Sequence, residues 1–193
     1  MPTGQTDNEI ISQVLRGNQA AYADLVNKYQ GYVFTLTLRI VKSREDAEEL
    51  AQDVFVKAYR YLADFRGDSK FSTWLYTIVN NTCITWLRKK KLDTRSLDDE
   101  QVFARADNMD SGARADSIEQ KSRQQMVNRA IAQLGTDDAM VLTLFYQAEQ
   151  SLEEAARILG IEVNAAKVRL HRARGRLKEK LERNFATELK DLN

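Results

Sequence analysis

The chain has 193 residues, enough for one ordinary domain or two small ones that each bury a core. Hydrophobic residues make up 43% and charged residues 30%, with 8 glycines and a single proline, Pro2, so the chain reads as soluble, globular and rich in helix. Lys and Arg total 29 against 28 for Asp and Glu; the single cysteine, Cys83, excludes an intrachain disulfide; and no stretch approaches the ~18 apolar residues of a membrane span.

The N-terminal stretch Met1–Ile11 is polar and lacks the apolar segment of a signal peptide, which sets the expectation of a cytoplasmic chain. A first helical pattern runs from about Asp7 to Leu15 and ends near Gly17. A second runs from about Gln19 to Val41, with Gly31 as a candidate bend. Tyr22, Leu25, Val26, Tyr29, Val33, Leu36 and Ile40 recur at three- and four-residue steps, which is one face of a helix.

The third pattern is the cleanest. Ser43, three residues before Asp46, suits a capping box, and Ala47, Leu50, Ala51, Val54, Phe55, Ala58, Tyr61 and Leu62 form an apolar stripe behind it. Glu48, Glu49, Gln52, Asp53 and Arg60 lie on the other side with Val56 among them. The segment from Phe65 to Lys70 combines Gly67, Asp68 and Ser69, which is loop chemistry. A fourth helix follows from about Ser72 and ends in the basic run Arg88–Lys91. Cys83 sits in it among Ile78, Val79 and Trp86 and reads as a reduced core thiol. Trp74 and Trp86 read as core in preference to stacking platforms, because they fall near the apolar stripe of that helix.

Composition then shifts. Between Leu92 and Gln120 stand eight acids (Asp93, Asp98, Asp99, Glu100, Asp107, Asp110, Asp116, Glu119) against Arg95, Arg105 and Arg114, and no period holds. This reads as a flexible acidic linker over residues 92–116, so the expected fold is all-α, with small helical domains at 1–91 and 117–193. The second domain opens with a helix from Ile118 to Leu134. The next begins at Thr136, read as its cap, with Asp137 and Asp138 behind it, and carries Val141, Leu142, Leu144, Phe145 and Tyr146.

The final segment carries the most information. Ser151 and Glu154 have capping-box spacing, Ala156 lies four residues before Gly160, and a further helix starts near Asn164. A helix-turn-helix needs this arrangement: a small residue where the helices cross and a glycine for the left-handed turn. From Val163 to Arg183 the last helix holds eight basic residues (Lys167, Arg169, Arg172, Arg174, Arg176, Lys178, Lys180, Arg183) against Glu179 and Glu182. The near-neutral total therefore conceals a strongly basic element. A basic helix is also often no more than a solvated face, but the capped helix, the turn glycine and the basic helix together point to duplex DNA.

Here the residues resemble a family. Ser151–Gly160 with Lys167–Arg174 resembles region 4 of the bacterial extracytoplasmic-function (ECF) sigma factors, which reads the −35 promoter element. Asp46–Phe55 with Lys57–Tyr59 resembles region 2.2, and Phe65–Ser69 with Phe71–Tyr76 resembles regions 2.3 and 2.4, which recognise and open the −10 element. Three departures stand out: Asn164-Ala165-Ala166 where the family commonly has Gly-Thr-Val, Ala155 where a branched apolar residue is usual, and Leu134-Gly135 in place of Leu-Pro.

The resemblance implies a specificity subunit that binds core RNA polymerase (β′ clamp and β flap) and promoter DNA, with an anti-sigma factor as a further partner. It implies polymerase docking through Asp46, Glu49, Gln52, Asp53 and Val56. It implies −10 contacts from Phe65, Arg66, Gly67, Asp68, Ser69, Lys70, Asn81, Arg88, Lys89 and Lys90, where a basic track and backbone donors offset the cost of extruding bases. It implies −35 contacts from Lys167, Arg169, Leu170, His171, Arg172 and Arg174. The acidic linker is either a solvated tether or, as the family suggests, a mimic of RNA phosphates.

An enzyme is not expected. His171 is the only histidine and Cys83 the only cysteine, and there is no Gly-rich phosphate loop, so no cofactor, metal, catalytic residue or small-molecule substrate is anticipated. Two rivals remain: a dimeric helix-turn-helix regulator with an N-terminal sensor domain that binds a palindrome, and a pure interaction adaptor.

Overall fold

The computed structural model describes residues 5–94 and 118–191, with side chains described over 5–92 and 123–183. Contacts divide the chain into two units, Met1–Phe103 and Ala104–Asn193. Among the described residues every regular element is helical. None of the helices is long and apolar enough to cross a membrane. Most of the expected linker lies outside the described residues.

The first unit holds α1 (Asp7–Leu15), α2 (Tyr22–Val41), α3 (Arg44–Arg60) and α4 (Phe71–Thr94), with 3₁₀ turns at Gln19–Ala21 and Leu62–Asp64. Thr6 and Glu9 close a reciprocal capping box at the start of α1 that the sequence reading passed over. α2 runs unbroken through Gly31. Its predicted stripe faces inward: Leu25, Val33 and Leu36 are fully buried, where α2 packs against α3 and α4. Ser43 caps α3 by accepting from the Asp46 amide. The Asp46 carboxylate goes instead to Lys90 of α4, at 3.3 Å. Ala47, Leu50, Ala51, Val54 and Ala58 face the core, whereas Tyr61, counted in the same stripe, is 56% exposed just past the helix end.

The second unit holds α5 (Ile118–Ala132), α6 (Thr136–Leu142), α7 (Leu152–Leu159) and α8 (Val163–Asp191), with a π-helical turn over Thr143–Gln147 between α6 and α7. Ile131, Leu134, Ala139, Val141, Leu142, Leu170 and Ala173 form its core. The cap of α6 is Gly135, not Thr136. Thr136 is already the first helical residue, so its hydroxyl is not placed to receive the early amides, and Asp137 and Asp138 supply favourable charge at that end. The π turn is pinned to α5 by Gln147, whose side-chain amide donates to the Asn128 side-chain oxygen at 2.5 Å.

Candidate nucleic-acid interface

α7 and α8 make the helix-turn-helix. Ser151 Oγ accepts from the Glu154 amide at 3.2 Å while a Glu154 carboxylate oxygen accepts from the Ser151 amide at 2.7 Å. Two otherwise unmet donors at the start of α7 are thereby satisfied. Gly160 ends the helix at φ +64°, ψ +37°, and the Ile161 amide then reaches back to the Ala156 carbonyl at 3.0 Å. Ala155 and Ala156 are buried, so α8 can approach α7 closely.

Ala166, Leu170 and Ala173 are buried and Leu177 packs beside them, an inward stripe at three- and four-residue steps along α8. At roughly 100° per residue the opposite pole falls at Asn164, Val168 and Gly175. Val168 is 49% exposed there. One flank carries Lys167, His171, Arg174 and Lys178, all exposed. The other carries Arg169, Arg172 and Arg176. A small, weakly polar crest between two basic flanks has the form of an element that enters a groove, with cations on either side for the phosphate strands.

The expected contacts separate on this geometry. Lys167, His171, Arg172 and Arg174 are exposed on α8. Leu170 is a correction: it is 5% exposed and belongs to the core, because it lies on the inward stripe and cannot present its side chain to a base. Arg169 is half-buried and held by Asp137 at 3.4 Å. Arg174 lies over two rings of the π turn, 5.6 Å from the centre of Phe145 and 5.3 Å from that of Tyr146. Val168, which was not among the expected contacts, stands on the exposed crest, where the 100° period from Ala166 and Leu170 places it.

In the first unit, the Phe65–Lys70 loop is anchored by aromatic packing. Phe65 stacks edge-on to Phe71 at 5.7 Å and tilts against Trp74 at 5.5 Å. Beyond it Arg66, Gly67, Asp68 and Lys70 are exposed and Ser69 half-exposed, with Gly67 at φ +78°. A left-handed turn here suits glycine and leaves the loop tip open to solvent. Trp74 and Trp86 are both only half-buried, so neither is a fully sequestered core residue. The Lys90 ammonium sits 4.5 Å from the centre of the Trp86 ring. α4 continues past the basic run to Thr94, so Arg88, Lys89, Lys90 and Lys91 fan around the helix and do not form one track. Asn81 is exposed on the same helix.

On α3, Glu49, Gln52 and Asp53 are exposed, with Val56 at 50% among them. Asp46 and Lys90, expected on surfaces for different partners, are paired with each other.

Residues 25–92 match the family sigma-70 region 2, and residues 124–177 match sigma-70, region 4. The chain is 35% identical over 177 residues to the ECF RNA polymerase sigma factor SigW of Bacillus subtilis (strain 168), an alignment covering 89% of this chain and 94% of that one. The chain belongs to the ECF sigma factors. The ECF RNA polymerase sigma-E factor of Escherichia coli (strain K12) is likewise 35% identical over 184 residues, or 92% of this chain and 95% of that one. Among solved structures, the sigma factor RpoE in complex with the anti-sigma factor NepR from Bartonella quintana aligns with TM-score 0.69 at 25% identity, over 83% of this chain and 96% of that one. CnrH, in complex with the cytosolic domain of CnrY, aligns with TM-score 0.64 at 25% identity, over 92% and 98%. In this sigma factor the helix-turn-helix falls in the region 4 match, and α3 and the aromatic-anchored loop fall in the region 2 match. The rival reading as a palindrome-binding regulator is not favoured.

Proposed function

We propose that this sigma factor divides its work between its two units at the residues singled out above. The first unit docks on the β′ clamp of core polymerase through the polar face of α3, where Glu49, Gln52 and Asp53 surround the exposed apolar Val56. Such a patch offers charge complementarity to a basic surface around one desolvated contact. The Phe65–Lys70 loop and the outer face of α4, with Asn81, Arg88 and Lys89, take the opened −10 strand. The second unit lies along the −35 duplex, with Lys167, His171, Arg172 and Arg174 on phosphates and the Asn164–Val168 crest toward base edges. The observation that carries this reading is the exposed basic surface of α8 behind a capped helix and a left-handed Gly160. The chain confers specificity and performs no chemistry of its own. Because the RpoE relative is found with an anti-sigma factor, we include such a protein among its partners.

The test is reconstitution. Core polymerase is incubated with a panel of promoters, with and without the purified chain, and transcripts are mapped. Initiation at a defined subset, lost with Val56→Asp in the core-binding step and with Arg172→Ala in the upstream-duplex step, is the expected result. Start-site selection indifferent to the chain would refute it, and tight binding to a palindrome without core would restore the regulator reading.

A further inference from the structure

Three arginines line one flank of α8, and they are not equivalent. Arg172, in the middle, has no ion-pair partner among the described residues and is exposed. Arg176 donates to the Asp138 carboxylate, whose side chain is only 10% exposed. Arg169 reaches Asp137 at 3.4 Å, and the Asp137 side chain is 74% exposed. Both acids come from the first turn of α6, and together with Asn164, Ala165 and Val168 these residues line one open cleft between α6 and α8.

The two ion pairs therefore sit in different surroundings. A buried carboxylate bonded to a guanidinium is costly to separate, because parting them leaves an uncompensated charge. The Asp138–Arg176 pair is a strut between α6 and α8. In the other pair the guanidinium is half-buried but the carboxylate is largely in water, and at 3.4 Å the contact is longer than a close charge-assisted hydrogen bond, so solvent can replace the carboxylate at small cost. A guanidinium accepts a carboxylate or a phosphate with the same fork of donors.

We infer that Asp137 is an internal stand-in for a DNA phosphate: it reserves Arg169 in the free sigma factor and must be displaced before Arg169 engages the upstream duplex. The inference rests on the reading of α8 as the −35 interface and adds a residue outside the helix-turn-helix that tunes it. Asp137 is a positioning residue in this scheme, and it makes duplex binding weaker than the basic surface alone would allow.

The experiment uses the full chain assembled with core polymerase and a labelled upstream duplex from a promoter that it serves, with core alone as the blank. Asp137→Asn, at an exposed site, is expected to bind the duplex about two- to five-fold more tightly, the range of an ion pair with one partner in solvent. The gain should vanish in the Arg169→Ala background. A gain that persists without Arg169 would mean general repulsion by Asp137 and would overturn the inference. No gain from Asp137→Asn, while Arg169→Ala weakens binding, would also overturn it and leave the interface reading intact. If neither variant moves the affinity, Arg169 does not meet the duplex and the inference falls, while promoter-specific initiation by the whole chain still tests the interface separately.

Discussion

The guanidinium of Arg174 lies 5.3 Å from the centre of the Tyr146 ring, which ties α8 to the π turn that follows α6. Both partners face solvent, so the contact contributes about 0.5–1 kcal/mol and serves mainly to limit where the charge can point. π turns are rare and frequent at functional sites, and this one places two adjacent rings, Phe145 and Tyr146, beside one cation.

Removing the ring should therefore act differently from removing the charge. Tyr146→Ala is expected to weaken upstream-duplex binding about two- to five-fold with the salt dependence unchanged. Arg174→Ala should weaken it and also lower the slope of log K against log salt by about 0.9, one phosphate contact. Anisotropy titrations at several salt concentrations separate the two, and equal slopes for both variants would exclude a phosphate contact by Arg174.

Gly160 sets the turn of the helix-turn-helix at φ +64°, and a Cβ there would meet no atom within 4 Å. Backbone strain alone then sets the cost of Gly160→Ala, about 1–2 kcal/mol. Ser151→Ala, which opens the capping box of α7, should cost about 1 kcal/mol. Denaturation followed by a probe in the second unit measures both. A loss of stability reported by the first unit instead would contradict the assignment.

Leu170 belongs to the core of the second unit, which sets the expectation that it acts on stability and not on DNA binding. Leu170→Ala should destabilise the second unit by about 2–5 kcal/mol through lost burial and a residual cavity. Under conditions where circular dichroism shows the variant folded, its upstream-duplex affinity should match the parent. A folded Leu170→Ala chain that binds weakly would return Leu170 to the interface.

Burial pushes the Cys83 thiol up from its ordinary 9.0 to about 11, against smaller opposing effects from the Thr37 hydroxyl and Lys57. Between those values the unfolded chain has released the proton and the folded chain still holds it. Unfolding is favoured as pH rises, so stability is intact below about 9 and declines toward 11. Half-buried Tyr22 and buried Tyr29 and Tyr76 are shifted the same way, chiefly by desolvation, and add to the decline. The thiol's share is on the order of 1–3 kcal/mol. It is read from denaturation at pH 8 and pH 10.5 as the difference between the parent and Cys83→Ala. An identical pH dependence in the two would show that the thiol titrates normally. Slow alkylation of the folded chain at pH 8 is the companion expectation.

Local chemistry by itself determined most of the architecture. Apolar residues at three- and four-residue steps had one helical face to occupy, and Ser43, Ser151 and Gly160 had the side chain, or the lack of one, that helix ends require. The same period, carried one step further, would have placed Leu170 on the buried face of α8 and Val168 on the exposed one. Tertiary structure decided which charges are spoken for. Asp46 meets Lys90, Asp137 meets Arg169 and Asp138 meets Arg176 only because helices distant in sequence cross at those positions. A helical period tells which way a side chain leaves its own helix, but the identity of the partner waiting there depends on packing between helices, which no spacing within a single segment encodes.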